Sequence, residues 1–400
     1  MRWLRAGGRG ATVARERLRV RNALVGSQVA LAVVLLVGSG LLVRSHRALA
    51  AIDPGFAVDD ITTFGLVLPA TRYTNESASQ LYHRLADRLR ALPGVEDAAV
   101  TTGLPVTPYG ASYRVEIEGE DASDIFAVRW VTPGYFEAMG IPVLHGRTML
   151  PEDGEAFKFF ISKSFSDTYW PGSSGVGGRV GPPGYLTEVV GVVADVRLRG
   201  LDTPPEAVAY VPFGGPSPTV LSASVVVRSA LSADELRGLV LSEVDAIDPQ
   251  LPVLDFKSMR EVVAQSLAVS RIRFTMLLLV SAALVALLLG AVGVYGVLAY
   301  VVARRTPEIG VRMALGAQSY DILPVLGRCL LPVVVGIGIG VATAAIGSQV
   351  LESVLFATTP LDAATFLVAP STFVAAALLA CIAPTVRALR ISPLEALRAD

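Results

Sequence analysis

Hydrophobic residues along the chain form four long, nearly uninterrupted runs, separated by stretches in which polar and apolar residues mix. A helix of about 20 apolar residues crosses a lipid bilayer. The pattern therefore predicts four membrane-spanning helices and, between the first two, a large insertion. The fold class expected is an α-helical membrane protein whose insertion is an α+β extracytoplasmic domain. The predicted helices cover residues 22–43, 273–303, 322–350 and 366–384, and the insertion covers residues 44–272.

Period-two alternation predicts many short strands within the insertion, and helical spacing predicts two good helices. One helix starts at Asn75 or Ser77 and carries a leucine stripe to Leu92, and the other is capped by Ser232 and ends near Ile247. This mixture indicates an α+β domain, either single or divided into two subdomains near the Gly/Pro-rich loop at residues 171–184. The predicted strands are residues 60–69, 95–102, 112–118, 125–132, 157–162, 188–194, 220–227 and 251–256.

Two shorter helices complete the prediction for the insertion. One spans residues 133–139 and turns at Gly140, and the other spans residues 258–273 and leads into the second apolar run. Glycine at the end of a helix favours the left-handed turn that stops it.

Composition supports a membrane protein with a sizeable water-exposed part: 52% of the 400 residues are hydrophobic and 17% are charged. The net charge of −1 gives no overall footprint of nucleic-acid binding. Cys329 and Cys381 both lie in apolar runs, which excludes a disulfide framework, and the three histidines lack metal-ligand spacing.

The first apolar run follows a basic tail, residues 1–21, that carries seven arginines. Ala48-Leu49-Ala50 resembles a signal-peptidase site, so two interpretations exist: a cleaved signal peptide or a retained helix. The run exceeds the 7–15 apolar residues that are typical of a signal peptide. A retained helix is therefore preferred.

Arginine distribution predicts the topology, because loops rich in Lys and Arg stay in the cytoplasm. The tail at residues 1–21, the loop at residues 304–321 and the tail at residues 385–400 all carry arginine, whereas the loop at residues 351–365 has no Lys or Arg. The chain is therefore expected to lie in the cytoplasmic membrane. Its two termini would lie in the cytoplasm, and the insertion would lie on the outer side of the membrane.

Residues 304–317, here called the charged island, interrupt the apolar sequence between the second and third runs. Its sequence predicts an amphipathic helix of two turns. Thr306 is suited to the N-cap of this helix, Pro307 to its first position and Glu308 to its first turn, and Gly316 is suited to end it. So short a helix needs a partner surface. The alternative is an ordinary loop with anchoring arginines, in which Glu308 pairs with Arg312. The candidate site residues are Thr306, Pro307, Glu308, Ile309, Gly310, Arg312, Ala314, Leu315 and Gly316.

The third run contains a small-residue stripe and one charge. Gly336, Gly340, Ala344 and Ser348 recur every fourth residue, a spacing that favours close helix packing. Arg328 lies near the cytoplasmic end, where it either extends to the interface or forms an ion pair that orients the helix.

These features together resemble the FtsX-like and MacB-like permeases of ABC transporters, over nearly the whole chain. The resemblance extends to one unit of the duplicated orphan permeases, which carry two such units. The matching segments are residues 308–317 (EIGVRMALGA) and 392–398 (SPLEALR), together with residues 92–95, 133–136, 146–147 and 190–197 in the insertion.

The resemblance implies a non-catalytic subunit that forms a dimer, with itself or a related half, and that pairs with a separate cytoplasmic ABC ATPase. That ATPase would bind ATP, and the charged island would dock on it. The chain itself would bind no cofactor, and the output would be efflux or mechanotransmission to an external adaptor or substrate protein.

Two other functions compete with this one. The first is a membrane-anchored binding or sensor module without an ATPase. The second is a membrane enzyme with its site in the insertion, although no His/Ser/Asp or metal-like constellation supports it. Residues 172–184 are rich in glycine, but they contain neither G-x-x-x-x-G-K-[ST] nor the dinucleotide-binding spacing.

Overall fold

Four long helices form one of two compact units in the computed structural model, which describes residues 8–107, 111–119, 124–214, 219–314, 323–350 and 355–389. Each helix contains a window that is long and apolar enough to cross a membrane, as the sequence predicts. The helices are α1 (Gly8–Ala50), α8 (Leu267–Ala314), α9 (Leu323–Val350) and α10 (Ala363–Leu389). The other unit, residues 51–270, is called the inserted domain below.

Two boundaries of the helices differ from the sequence prediction. Helix α1 continues to Ala50, so residues 44–50 extend it instead of opening the inserted domain. Helix α8 runs without a break to Ala314, so the prediction of a separate helix with its N-cap at Thr306 is wrong. A cap is needed only where the preceding backbone leaves N–H groups unpaired, and here that backbone is already helical.

One part of the inserted domain consists of two interleaved βαβ units. Its elements are β1 (Ile61–Val67), α2 (Asn75–Arg90), β2 (Val95–Thr101), β10 (Ser222–Ser229), α6 (Ala233–Ile247) and β11 (Val253–Ser258). The strand order is β11-β1-β10-β2, with every neighbouring pair antiparallel, which is the arrangement of a ferredoxin-like sheet.

The remaining strands lie between β2 and β10 in the sequence and form a ring. They are β3 (Ala111–Ile117), β4 (Asp124–Val131), β5 (Val143–Gly146), β6 (Phe159–Ser162), β7 (Arg179–Gly181), β8 (Thr187–Val193) and β9 (Val208–Pro212). The order β4-β3-β7-β8-β6-β9 closes on itself because β9 also pairs with β4, in parallel. Strand β5 pairs with β8, and the bridge between Thr101 and Val131 joins the ring to the four-stranded sheet.

The described residues of the inserted domain also form four short helices: α3 (Tyr135–Met139), α4 (Asp153–Ala156), α5 (Lys163–Tyr169) and α7 (Met259–Gln265). Ser266, with φ −56° and ψ 146°, separates α7 from α8, so the single helix predicted over residues 258–273 is interrupted. The extended backbone at that residue breaks the helical hydrogen-bond pattern.

The predicted helices of the four-stranded sheet are confirmed, with one change of cap. Ser232 caps α6, and the Glu235 carboxylate accepts a hydrogen bond from the Ser232 backbone N–H. Thr74, not Asn75 or Ser77, caps α2. The side chains of Leu81, Leu85 and Leu89 are buried against the sheet, as their helical spacing predicts.

The Gly/Pro-rich segment at residues 171–184 is not entirely loop, because it contains β7. The segment lies within the ring, because β7 pairs with both β3 and β8. The structure also shows β5, β9, α4 and α5, which sequence periodicity did not predict. Elements of four to seven residues are too short to show a clear period.

Candidate functional site

The described part of the charged island continues the C-terminal end of α8. Glu308 and Arg312 lie one helical turn apart on that helix, and Thr306, Pro307, Ile309, Gly310 and Ala314 belong to it as well. Leu315 and Gly316 lie outside the described residues. At about 1.5 Å per residue, the 48 residues of α8 extend over roughly 70 Å. The island therefore shares one continuous helix with the apolar window at residues 271–300.

The predicted small-residue stripe of α9 faces α1. A Cβ atom at Gly336 would lie 2.6 Å from the Gly26 carbonyl oxygen, and one at Gly340 would lie 2.8 Å from the Ala30 carbonyl oxygen. Ala344 and Ser348 are buried on the same face. Such distances bring helix backbones together, and only glycine fits at the first two positions. Arg328 lies in α9, but its side chain is outside the described residues.

Helix α8 packs against α1 and α10 through two of its own glycines. A Cβ atom at Gly290 would lie 2.8 Å from the ring of Phe373, which is fully buried, and one at Gly293 would lie 2.7 Å from Gln28 Oε1. The glycines of α8 thus make room for an aromatic side chain and an amide.

Arg21 connects α1 to α8 close to the charged island. Its Nη2 donates to the Gly296 carbonyl oxygen at 3.1 Å, and its guanidinium carbon lies 4.5 Å from the centre of the Tyr300 ring. The Arg21 side chain thus holds α1 to α8 by a charge-assisted hydrogen bond and by a cation–π contact. Sequence analysis assigned Arg21 only to the basic tail, and spacing within one segment gives no signal for a contact 275 residues away.

Removing the Arg21 side chain is expected to loosen α1 from α8. Because the side chain is partly exposed, we expect Arg21→Ala to lower the stability of the membrane unit by about 1 kcal/mol. The measurement is the thermal midpoint of the full chain in mild detergent. Arg19→Ala, which removes a neighbouring exposed arginine, is the control, and an equal loss in both variants would contradict the assignment.

An ion pair links α1 to the beginning of α10. Arg44 Nη1 lies 2.8 Å from Asp362 Oδ1, and Asp362 caps α10 by accepting the Thr365 hydroxyl at 2.7 Å and the Thr365 backbone N–H at 2.9 Å. The Thr365 hydrogen bonds and the Arg44 charge hold the pKa of the Asp362 carboxyl below its usual range. The ionised carboxylate also suits the positive end of the helix dipole.

No metal centre is found within the described ranges, since no group of three or more His, Cys, Asp or Glu side chains there could hold an ion. The contacts described above pack and attach the four long helices to one another. The residues that sequence analysis missed, Arg21, Arg44 and Asp362, all act through contacts between distant segments.

Comparison with known proteins finds a family model and relatives that are similar to this chain. Residues 280–393 match the family model described as FtsX-like permease C-terminal. The macrolide export ATP-binding/permease protein MacB of Marinobacter nauticus is 26% identical over 191 residues, covering 46% of this chain and 29% of that protein. The uncharacterized ABC transporter permease YknZ of Bacillus subtilis is 26% identical over 274 residues, covering 66% of each chain.

Solved structures also match the chain, and two of them are extracytoplasmic parts of the relatives named above. The periplasmic region of MacB from Actinobacillus actinomycetemcomitans has 12% identity and a TM-score of 0.37, covering 54% of this chain and 95% of that one. The extracellular domain of YknZ has 17% identity and a TM-score of 0.34, covering 48% of this chain and 100% of that one. The matched part of this chain covers 29% of the MacB of Marinobacter nauticus and 38% of a second MacB, from Bartonella henselae, so the chain corresponds to only part of their length.

Proposed function

We propose, from the premise that this chain resembles FtsX-like and MacB-like ABC-transporter permeases, that it is the permease subunit of an ABC-type complex. A separate cytoplasmic ATPase would bind and hydrolyse ATP, and this chain would convert that cycle into movement of its inserted domain. The output would be efflux or mechanotransmission. The chain itself would be non-catalytic and bind no cofactor.

The observation that carries this proposal is the continuity of α8. One helix begins at Leu267, within the last residues of the inserted domain, and ends at Ala314 in the charged island. A continuous helix transmits a displacement along its axis better than a chain with a break, because its hydrogen bonds resist local bending. An ATPase that moves the island would therefore move the whole helix, and α1 with it through the contacts of Arg21 and Gln28 with α8.

Orientation and partners follow from the arginine distribution and the resemblance. The basic tail and the charged island would lie in the cytoplasm, with the chain in the cytoplasmic membrane and the inserted domain outside. The remaining partners would be a second permease chain, identical or related, and an external adaptor or substrate protein. Glu308 and Arg312 would form the contact with the ATPase.

The test is co-purification of an ATPase with the tagged full-length chain from its native host in mild detergent, followed by mass spectrometry. We expect an ABC ATPase with the wild type and a loss of at least about tenfold with the Glu308→Ala/Arg312→Ala double variant, which corresponds to about 1.4 kcal/mol of binding. A contact made by both charged groups would cost at least that much.

The matched control is the Lys163→Ala/Asp167→Ala double variant, which also removes an i,i+4 charge pair but from the exposed surface of α5. It should retain the ATPase. Absence of any ATPase from the intact wild-type chain would instead favour a membrane-anchored binding or sensor module. Equal loss in both double variants would contradict the assignment of the island.

A further inference from the structure

The segment that connects α1 to β1 is fastened to the rest of the inserted domain from Pro54 onward, and residues 51–53 separate this attachment from the end of α1. Gly55 has a positive φ of 84°, and a Cβ atom there would overlap the carbonyl oxygen of Asp195. The Arg197 backbone N–H donates to the Pro54 carbonyl oxygen at 3.0 Å. One hydrogen bond and one backbone contact that only glycine allows therefore hold the segment against residues 195–197.

The same segment is held from a second side by the end of α3. The Ala57 backbone N–H donates to the Met139 carbonyl oxygen at 2.8 Å. Gly140 ends α3 in a left-handed conformation and lies beside the Ala57 methyl group. A Cβ atom added at Gly140 would lie 3.1 Å from that methyl group. Phe56, between the two attachment points, is 6% exposed. Residues 54–57, which we name the connector, are thus fixed on both sides.

The surface beneath the connector is itself braced by side chains. The Asp195 carboxylate accepts the Ser164 backbone N–H and the Ser164 hydroxyl, both at 2.7 Å, in the first turn of α5. The Arg197 guanidinium donates to the carbonyl oxygens of Leu201 at 3.1 Å and of Thr203. A force on the connector therefore reaches α5 and the turn at residues 198–203 through short polar contacts.

The other end of the inserted domain is built differently. Helix α7 gives way to α8 at a single non-helical residue, Ser266, whose buried hydroxyl has no hydrogen-bond partner. A single extended residue between two helices is a position that can absorb a change in backbone angles.

We propose that the connector and residues 195–197 form the attachment through which displacement of α1 is passed to α5 in the inserted domain. Gly55 and Ser164 are positioning residues in this scheme: Gly55 permits the close backbone contact, and Ser164 joins Asp195 to α5. The inference rests on the proposed function and adds to it the place where movement enters the domain.

The test is hydrogen exchange, read by mass spectrometry, on the full chain purified with its ATPase. We expect Gly55→Ala to speed exchange at the Arg197 amide by about tenfold or more, because the Pro54 acceptor is displaced. In the wild type, adding ATP with vanadate should alter exchange in α5, and Gly55→Ala should abolish that response while the ATPase remains bound.

The matched control is Gly172→Ala. Gly172 has nearly the same φ, 86°, but nothing lies within 4 Å of a Cβ atom there. It imposes the same backbone strain without the steric overlap, so it should leave both readouts unchanged. Ser164→Ala, which deletes one donor to Asp195 and leaves the connector intact, should weaken the α5 response by itself. It serves as the second test if Gly55→Ala does not fold.

The outcomes separate the two proposals. A retained ATPase with an unaltered α5 response in both Gly55→Ala and Ser164→Ala would overturn the attachment and leave the permease function standing. Absence of an ATPase from the wild type would overturn the proposed function, and this inference with it. If the wild type shows the α5 response and both Gly55→Ala and Ser164→Ala lose it, the result would support both the attachment and the proposed function.

Discussion

Gly340→Leu is expected to disrupt the packing of α9 on α1. A Cβ atom at this position would lie 2.8 Å from both the Ala30 carbonyl oxygen and the Val33 Cβ atom. The first of these contacts is with backbone, which cannot relieve the overlap by changing rotamer, so the helices must separate. We expect a loss of about 3 kcal/mol, measured as a lower thermal midpoint and a smaller monodisperse fraction of the full chain in detergent.

Gly338→Leu is the matched control, since it adds the same side chain to the same helix. Gly338 is exposed, and nothing lies within 4 Å of a Cβ atom there. The control should therefore assemble like the wild type, with a leucine side chain facing lipid. Normal assembly of Gly340→Leu would show that the contact between α1 and α9 is not required.

Asp153→Ala is expected to give the largest loss in the inserted domain. The Asp153 carboxylate is almost fully buried and accepts both Arg147 Nη1 and Nη2 at 2.6 Å and the Leu150 backbone N–H at 2.8 Å. These bonds fix the turn that leads into α4. Because the Arg147 side chain is 42% exposed and can be rehydrated, we expect a loss of about 2–3 kcal/mol.

The measurement is denaturant unfolding of the full chain followed by tryptophan fluorescence, since Trp130 and Trp170 both lie in the inserted domain. Asp167→Ala is the control, because its pair with Lys163 is exposed. It should cost less than about 0.5 kcal/mol. An equal loss in both variants would contradict a special role for the Asp153 carboxylate.

The contribution of Asp153 should also depend on pH. Burial raises the pKa of this carboxyl, but hydrogen bonds from Arg147 and Leu150 outweigh it and hold the pKa below its usual range. A depressed pKa in the folded state stabilises the protein fully above the unfolded value of about 4. The stability difference between the wild type and Asp153→Ala should therefore shrink as the pH falls below about 4, and a constant difference would contradict this cause.

Elements with a strong local signal were predictable from sequence. Helix α6 has a Ser232 cap with Glu235 three residues later, and α2 has its leucine stripe, so both patterns appear within a few residues. The prediction of a new helix at Thr306 was wrong because it rested on a local signal alone. A cap sequence shows that a helix can begin there, but it does not show whether the preceding backbone is already helical.

Contacts between distant segments were beyond local pattern. Strand β9 pairs with β4 about 80 residues earlier and closes the ring. All five residues of β9 are buried, so its sequence lacks the alternation of polar and apolar residues by which a strand is predicted. The segments at residues 146–147 and 190–197 were noted only as part of a resemblance. The structure gives them physical roles: Arg147 holds Asp153, and Asp195 and Arg197 hold the connector.

The sequence alone determined that this protein has four membrane-length helices, an α+β insertion and a small-residue stripe on α9, because hydrophobic burial and side-chain volume act through the period of each element. Only the tertiary structure decided that the stripe faces α1, that α8 continues into the charged island and that the connector is fastened beside Asp195. Those facts depend on which surfaces meet, and their energies arise from atoms far apart in the chain.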